Sequence, residues 1–282
     1  MKTIVVATDL SERSGLAMQR AVVIARQMKA RLQVLHVVDD GLPARIADAI
    51  LMNTTTELEK QIAENSGFKG LDVQCHVEFG HPWEAIVLQS QEMRADLIVA
   101  GAHRNRGFRE LFGGTTLHRI AKTSRIPLLV VTKETAGPYT KALVGVDFSN
   151  CAQNAANLAS RMTPDHPLTL VHAYHIPFKA FTKKTDRYGD IVKHEQKRID
   201  SEVHLEMKDF VKRLDNPTPH PAVVVKEGNA FSILEAEANA RKADLICVGS
   251  HGKSWLAETI LGSTAEDLLS HPPCDILVAP LA

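Results

Sequence analysis

The stretch Gly249 to Thr264, GSHGKSWLAETILGST, has the residues best suited to chemistry. It opens Gly-x-x-Gly-Lys-Ser, and glycines beside a lysine and hydroxyls are the parts of a phosphate cradle. A P-loop has the form Gly-x-x-x-x-Gly-Lys-Ser/Thr. Counted back from Gly252-Lys253-Ser254, its first glycine belongs at position 247, which is Cys247. The spacing is two residues short, so a P-loop is excluded. A longer frame remains: Gly249, two residues, Gly252, nine residues, then Gly262-Ser263.

Strand and helix must position such a frame, and here both are written twice. TIVVATDLSERSG resembles KALVGVDFSNCAQ, with Asp9 against Asp147 and Ser11 against Ser149. LQVLHVV matches LTLVHAY, with His36 against His172. Gly80 matches Gly228, ADLIVAGAH matches ADLICVGSH, FGGTT matches ILGST, and RIPLLVVT matches PCDILVAP. The offset is 138 at the aspartate, 136 at the histidine and 148 from Gly80 onward. A tandem duplication follows, with domains at 1–135 and 141–282 on either side of Gly137-Pro138. Each copy alternates short Val/Ile/Leu runs with amphipathic stretches, the signature of parallel strands separated by helices. Five strands are expected per copy, in an α/β sheet with helices on both faces. Ser11 is placed to cap a helix over 12–29, and Pro82 to open another. The segment that lengthens the second copy predicts a long charged helix anchored by Ile191, Ile199, Val203, Leu205, Phe210 and Leu214.

On this frame Gly249 falls just past the carboxyl end of ADLICV, where ligands sit in open α/β sheets. A missing side chain there lets a ligand approach the backbone, and Gly252 is expected to turn the loop with a positive φ. Gly262, Ser263 and Thr264 start the helix AEDLLS, whose free N–H groups and hydroxyls suit phosphate oxygens. Trp255, Leu256, Ile260 and Leu261 are expected to hold the loop against the fold. A plain turn and a plain cap explain one such glycine pair equally well. The duplicated frame, with an aspartate ending strand one each time, favours a site.

With these motifs the chain resembles the universal stress proteins, in a form with two such domains in tandem. The resemblance covers almost the whole chain. It rests on Asp9 and Asp147, on LHVV, and on the G-x2-G-x9-G-S/T frame, which the family's ATP-binding members use. It implies an adenine nucleotide alpha hydrolase-like fold and a nucleotide-dependent stress-response regulator that binds ATP, with Mg²⁺ brought by the triphosphate. Adenine lies near the ends of strands one and two, ribose near the aspartate, and phosphates on the glycine loop. Carried onto the second copy, this implies Val146, Asp147, Ala173, Val248, Gly249, His251, Gly252, Lys253, Gly262, Ser263 and Thr264. The weaker set in the first copy is Thr8, Asp9, Val37, Gly101, Arg104, Gly114, Thr115 and Thr116. There Arg104 replaces the middle glycine. Either the loop is refolded and the site lost, or Arg104, Arg106 and Arg109 contact phosphate in bidentate fashion, or the loop is a solvated basic segment. The second copy is the favoured site.

Balanced charge, 33 basic against 33 acidic residues, gives no field to collect nucleic acid or anionic lipid. No apolar run approaches the ~18 residues of a membrane helix, and the start lacks a signal-peptide core. Cys75, Cys151, Cys247 and Cys274 form no C-x-x-C pair, and Cys247 reads as a buried thiol, so a reducing cytoplasm is expected. No metal site is expected: the single H-x-x-H, His172 to His175, lies on a strand end, and bonding to backbone is the favoured role for such histidines. No nucleophile–base arrangement stands out, although His251 and Asp147 are candidates for slow hydrolysis of bound ATP. A binding protein is therefore expected rather than an enzyme. The runner-up function is an adaptor, or a carrier of an apolar ligand between the two halves. IPLLVVT and CDILVAP are apolar enough to pair the halves as a pseudo-dimer, with a homodimer as the further option.

Overall fold

The structure is a computed structural model. It describes residues 1–38, 44–102, 116–134, 137–175, 186–215, 220–252 and 260–281, with backbone alone at 44–50, 186–197 and 200. The first half contains β1 (Thr3–Thr8), α1 (Glu12–Met28), β2 (Arg31–Val38), α2 (Ala44–Glu64), β3 (Val73–Phe79), α3 (Pro82–Glu92), β4 (Leu97–Gly101), α4 (Thr116–Thr123) and β5 (Leu128–Val131). The second contains β6 (Ala142–Gly145), α5 (Asn150–Met162), β7 (Thr169–Tyr174), α6 (Asp186–Lys212), β8 (Ala222–Glu227), α7 (Ala230–Arg241), β9 (Leu245–Gly249), α8 (Ser263–Ser270) and β10 (Asp275–Ala279).

One sheet runs through both halves in the order β3-β2-β1-β4-β5-β10-β9-β6-β7-β8. Within each half the described strands are parallel, giving the expected five-stranded unit twice. The halves meet where β5 pairs antiparallel with β10, Leu129 lying opposite Leu277. Leu277 is also the repeat counterpart of Leu129, so a pseudo-twofold axis passes through that pair. Consequently the carboxyl edge of one half lies beside the amino edge of the other.

The apolar strand runs exist because helices cover both sheet faces. One core layer packs α1 and α5 residues, such as Ala21 and Ala155, against Ile4, Val6, Val144 and Leu277. The other packs Ile86, Ile120, Leu234 and Leu268 against Val5, Ile98, Ile246 and Val278. Local signals set the helix starts. Ser11, Ser149 and Asn229 cap α1, α5 and α7 by accepting from the N–H three residues on, and Pro82 opens α3.

Helix α6 corrects one expectation. Val203, Met207 and Phe210 are buried, with Leu214 just beyond the helix end, along a stripe of three- and four-residue steps. Leu205 sits two residues off that stripe and is 63% exposed. It is not an anchor, and Met207 takes its place. Ile199 is half-buried, and the side chain of Ile191 lies outside the described residues.

The seam is polar at one end. Asp275, buried at the start of β10, accepts from Thr132 N at 2.8 Å and Thr132 Oγ1 at 3.1 Å. Tyr139 Oη donates to its other oxygen at 2.6 Å. Arg20 of α1, 5% exposed, places Nε 3.4 Å from that oxygen, within ion-pair reach but not aligned as a hydrogen bond. Its Nη1 donates to Gly137 O at 2.7 Å, and its guanidinium stacks 3.9 Å over the Tyr139 ring. Burial, then the Asp275 carboxylate, pushes the Tyr139 phenol well above its usual range, so it remains a neutral donor.

Candidate functional site

In each half, strand one ends in the same turn. Asp147 Oδ1 accepts from Ser149 N at 3.0 Å and Ser149 Oγ at 2.6 Å, and Ser149 Oγ accepts from Ala152 N at 3.1 Å to cap α5. Asp9 and Ser11 repeat this at 3.0 and 2.5 Å. Burial alone would raise the Asp9 carboxyl, but hydrogen bonds from the Ser11 hydroxyl and N–H and from Ser14 outweigh it and hold the group low. The residue after each aspartate, Leu10 or Phe148, has a positive φ of 62° or 63°. Bulky side chains avoid that region, so the strain is evidence that the turn itself is required.

Strand two supports the turn. A carbonyl only accepts, so the 2.7 Å contact of His172 Nδ1 with Val146 O makes Nδ1 the protonated nitrogen. His36 does the same to Thr8 O at 2.8 Å. Both paired histidines therefore hold strand ends by backbone bonds. Phe148 packs against the His172 ring, with centroids 4.7 Å apart. Ala173, one residue further along β7, is half-buried beside it.

The glycine frame of the second copy closes the site. Gly249 is the last residue of β9 rather than the first beyond it. A Cβ there would lie 2.7 Å from Cys151 Cβ and 3.0 Å from Ala152 N. The space left by its missing side chain is thus filled by the first turn of α5. Gly101 stands in the same relation to Arg13 and Ser14 of α1. Gly252 does not use a positive φ, contrary to expectation. Its need is close approach, because a Cβ would lie 3.0 Å from Asp147 Oδ2. That oxygen accepts no hydrogen bond from the described residues, while Oδ1 is fully engaged.

Beyond the loop, Gly262 N donates to Ser250 O at 2.8 Å, bringing the start of α8 back to the end of β9. Gly262 caps α8 without a side-chain hydrogen bond, so the first-turn N–H groups there have no side-chain cap. Ser263 is exposed and Thr264 half-buried at this end, and Val248 is buried beneath it. Leu261 is buried as expected, but Ile260 is 65% exposed and does not anchor the loop. His251 Nδ1 lies 2.8 Å from Ser250 Oγ, and its Nε2 is buried with no hydrogen-bond partner among the described residues. Lys253, Trp255 and Leu256 lie outside the described residues, as do Arg104, Arg106, Arg109, Gly114 and Thr115. In the first copy Val37 is half-buried, Thr116 starts α4, and the Thr8 hydroxyl is occupied, donating to Ser14 Oγ at 2.9 Å.

Ser250 has no counterpart in the sequence-based expectations. Ser250, 1% exposed, ties three parts together: its N donates to Ala279 O, its carbonyl accepts from Gly262, and its hydroxyl meets His251. Ser149 was visible in the repeated Asp-x-Ser spacing, which is the signal for its double role.

The fold and site define a two-unit α/β protein in which an aspartate turn and a glycine frame meet at the carboxyl ends of strands β6 and β9. The sequence model of the universal stress protein family matches residues 1–132 and 138–280. The chain belongs to that family. Universal stress protein MJ0531 of Methanocaldococcus jannaschii is 30% identical over 140 residues, 47% of this chain and 82% of that protein. YxiE of Bacillus subtilis is 26% identical over 141 residues, 45% of this chain and 95% of its own length. A universal stress protein from Archaeoglobus fulgidus shares the two-unit fold, with a TM-score of 0.69, 18% identity, and coverage of 99% of this chain and 98% of that one.

Proposed function

We propose that the C-terminal half binds an adenine nucleotide, ATP, and that the protein is a nucleotide-dependent stress regulator rather than an enzyme. The observation that carries this is the pairing of Asp147 Oδ2, an unengaged acceptor, with Gly252, where any side chain would obstruct it. Ribose hydroxyls are the donors that such a carboxylate suits. Val146 and Ala173 border the adenine. His251, Gly252, Gly262, Ser263 and Thr264 line the phosphate path, with the backbone of Gly249 and the side chain of Lys253 as further candidates, supported by the absence of a side-chain cap on α8 and by the orphan His251 Nε2. Mg²⁺ travels with the triphosphate and neutralises its charge. The domains are 1–135 and 141–282, and the first, with Arg104 at the middle glycine, is the weaker site. A cytoplasmic setting agrees with four free cysteines.

The test is mass spectrometry of nucleotide retained by the purified protein and by Gly252→Arg, alongside melting temperatures with added ATP. The expected outcome is adenine nucleotide, or an ATP-induced rise in melting temperature, in the wild type only. No retained nucleotide and no shift in the wild type overturns the proposal.

A further inference from the structure

The two ends of the seam between the halves are unequal. At one end Arg20, Thr132, Tyr139 and Asp275 fill the space beside the axis. The repeat offsets put Leu158 in the place of Arg20, Pro127 in that of Asp275, and Pro280 in that of Thr132 at the other end. Leucine has no guanidinium, Pro127 has no carboxylate, and Pro280 has no N–H to donate. All three polar members have become apolar, and beside them lies a cavity of about 1070 Å³ lined by Leu158, Pro127 and Pro280. Ligand pockets are usually ~300–1,000 Å³, so the space is large enough for a small molecule. Asn154 Nδ2 donates to Pro280 O at 2.9 Å and fixes that wall.

The lining has a defined charge. Lys122, Arg125 and Arg161 open onto it against one carboxylate, Asp96. Asp96 Oδ2 is already engaged by the N–H groups of Lys2 and Thr3, at 2.5 and 3.0 Å. Arg161 shares Asp215 at 3.4 Å. Lys122 and Arg125 have no carboxylate partner among the described residues. We infer that this cavity binds a small organic anion with an apolar body, the anionic group at Lys122 and Arg125 and the body against Leu158, Pro127 and Pro280. Ser149, His251 and Gly252 form a wall shared with the proposed nucleotide site. The inference does not require that nucleotide to bind, and the two fail separately.

The probe is 8-anilinonaphthalene-1-sulfonate, an anion on an aromatic body, titrated by fluorescence against the full chain without nucleotide. Saturable binding of one probe per chain is expected. Lys122→Gln with Arg125→Gln is expected to weaken it about tenfold, which is about 0.7 kcal/mol for each of two exposed charge contacts. Pro127→Asp with Leu158→Arg rebuilds the polar plug and is expected to abolish binding, its folding checked by circular dichroism. If that pair does not fold, the lysine–arginine pair decides alone. Unsaturable binding, or weakening of less than about threefold in a folded variant pair, overturns the inference.

Discussion

At the scale of single residues, the glycines divide into those whose missing side chain makes room for a helix and one whose missing side chain makes room for a carboxylate oxygen. Gly249 serves packing, since α5 fills the position of its Cβ. Gly249→Ala is expected to cost about 1–3 kcal/mol by overpacking against a helix backbone that has no flexible end to move. Gly15→Ala is the control, because nothing lies within 4 Å of its Cβ position in α1, and there alanine stabilises by about 0.5–1 kcal/mol. Urea unfolding of both variants checks this, and a neutral Gly249→Ala contradicts it. That Asp147, Gly252 and Gly262 come together at the carboxyl ends of β6 and β9 was legible from the repeated spacing. The reasons for Gly249 and Gly252 were not, because spacing does not reveal whether a helix, a carboxylate or a ligand occupies the space beside a glycine. Ser250 was illegible because its role is made by a carbonyl that every residue has.

At the scale of elements, alternation of apolar runs with amphipathic stretches predicted the parallel strands, and Ser11 and Pro82 marked helix starts that the structure keeps, Ser149 repeating the Ser11 cap. Periodicity misplaced Leu205 because a helix rich in charge offers more apolar residues than its narrow buried stripe can take. Ile260 was misassigned for a related reason: an apolar residue in a loop is an anchor only if the loop turns it inward, and this one faces solvent. The paired histidines hold strand ends, as expected of backbone-bonded histidines. Both elements they join, strands one and two, end at the turn that presents Asp9 or Asp147. Element geometry thus aims each aspartate, while the helix-capping serine beside it leaves one carboxylate oxygen open.

At the scale of the whole molecule, the antiparallel β5–β10 pair makes one sheet of two repeats, and one set of their differences lies at the seam. The apolar runs IPLLVVT and CDILVAP announced that pairing, whereas the Arg20–Tyr139–Asp275 cluster joins residues too far apart in sequence to be read together. Asp275→Ala leaves the Arg20 charge buried and uncompensated and is expected to cost about 3–5 kcal/mol. Adding Arg20→Leu removes that charge and recovers part of the loss, as Leu158 does at the other end. Urea unfolding of single and double variants measures this, and a loss below about 1 kcal/mol in the single variant contradicts a buried pair. The central claim is asymmetry between repeats in ligand binding, and isothermal titration of the nucleotide-free chain with ATP and Mg²⁺ tests it most directly. One site per chain is expected, lost in Gly252→Arg; two equivalent sites, or binding untouched by that substitution, would contradict the asymmetry.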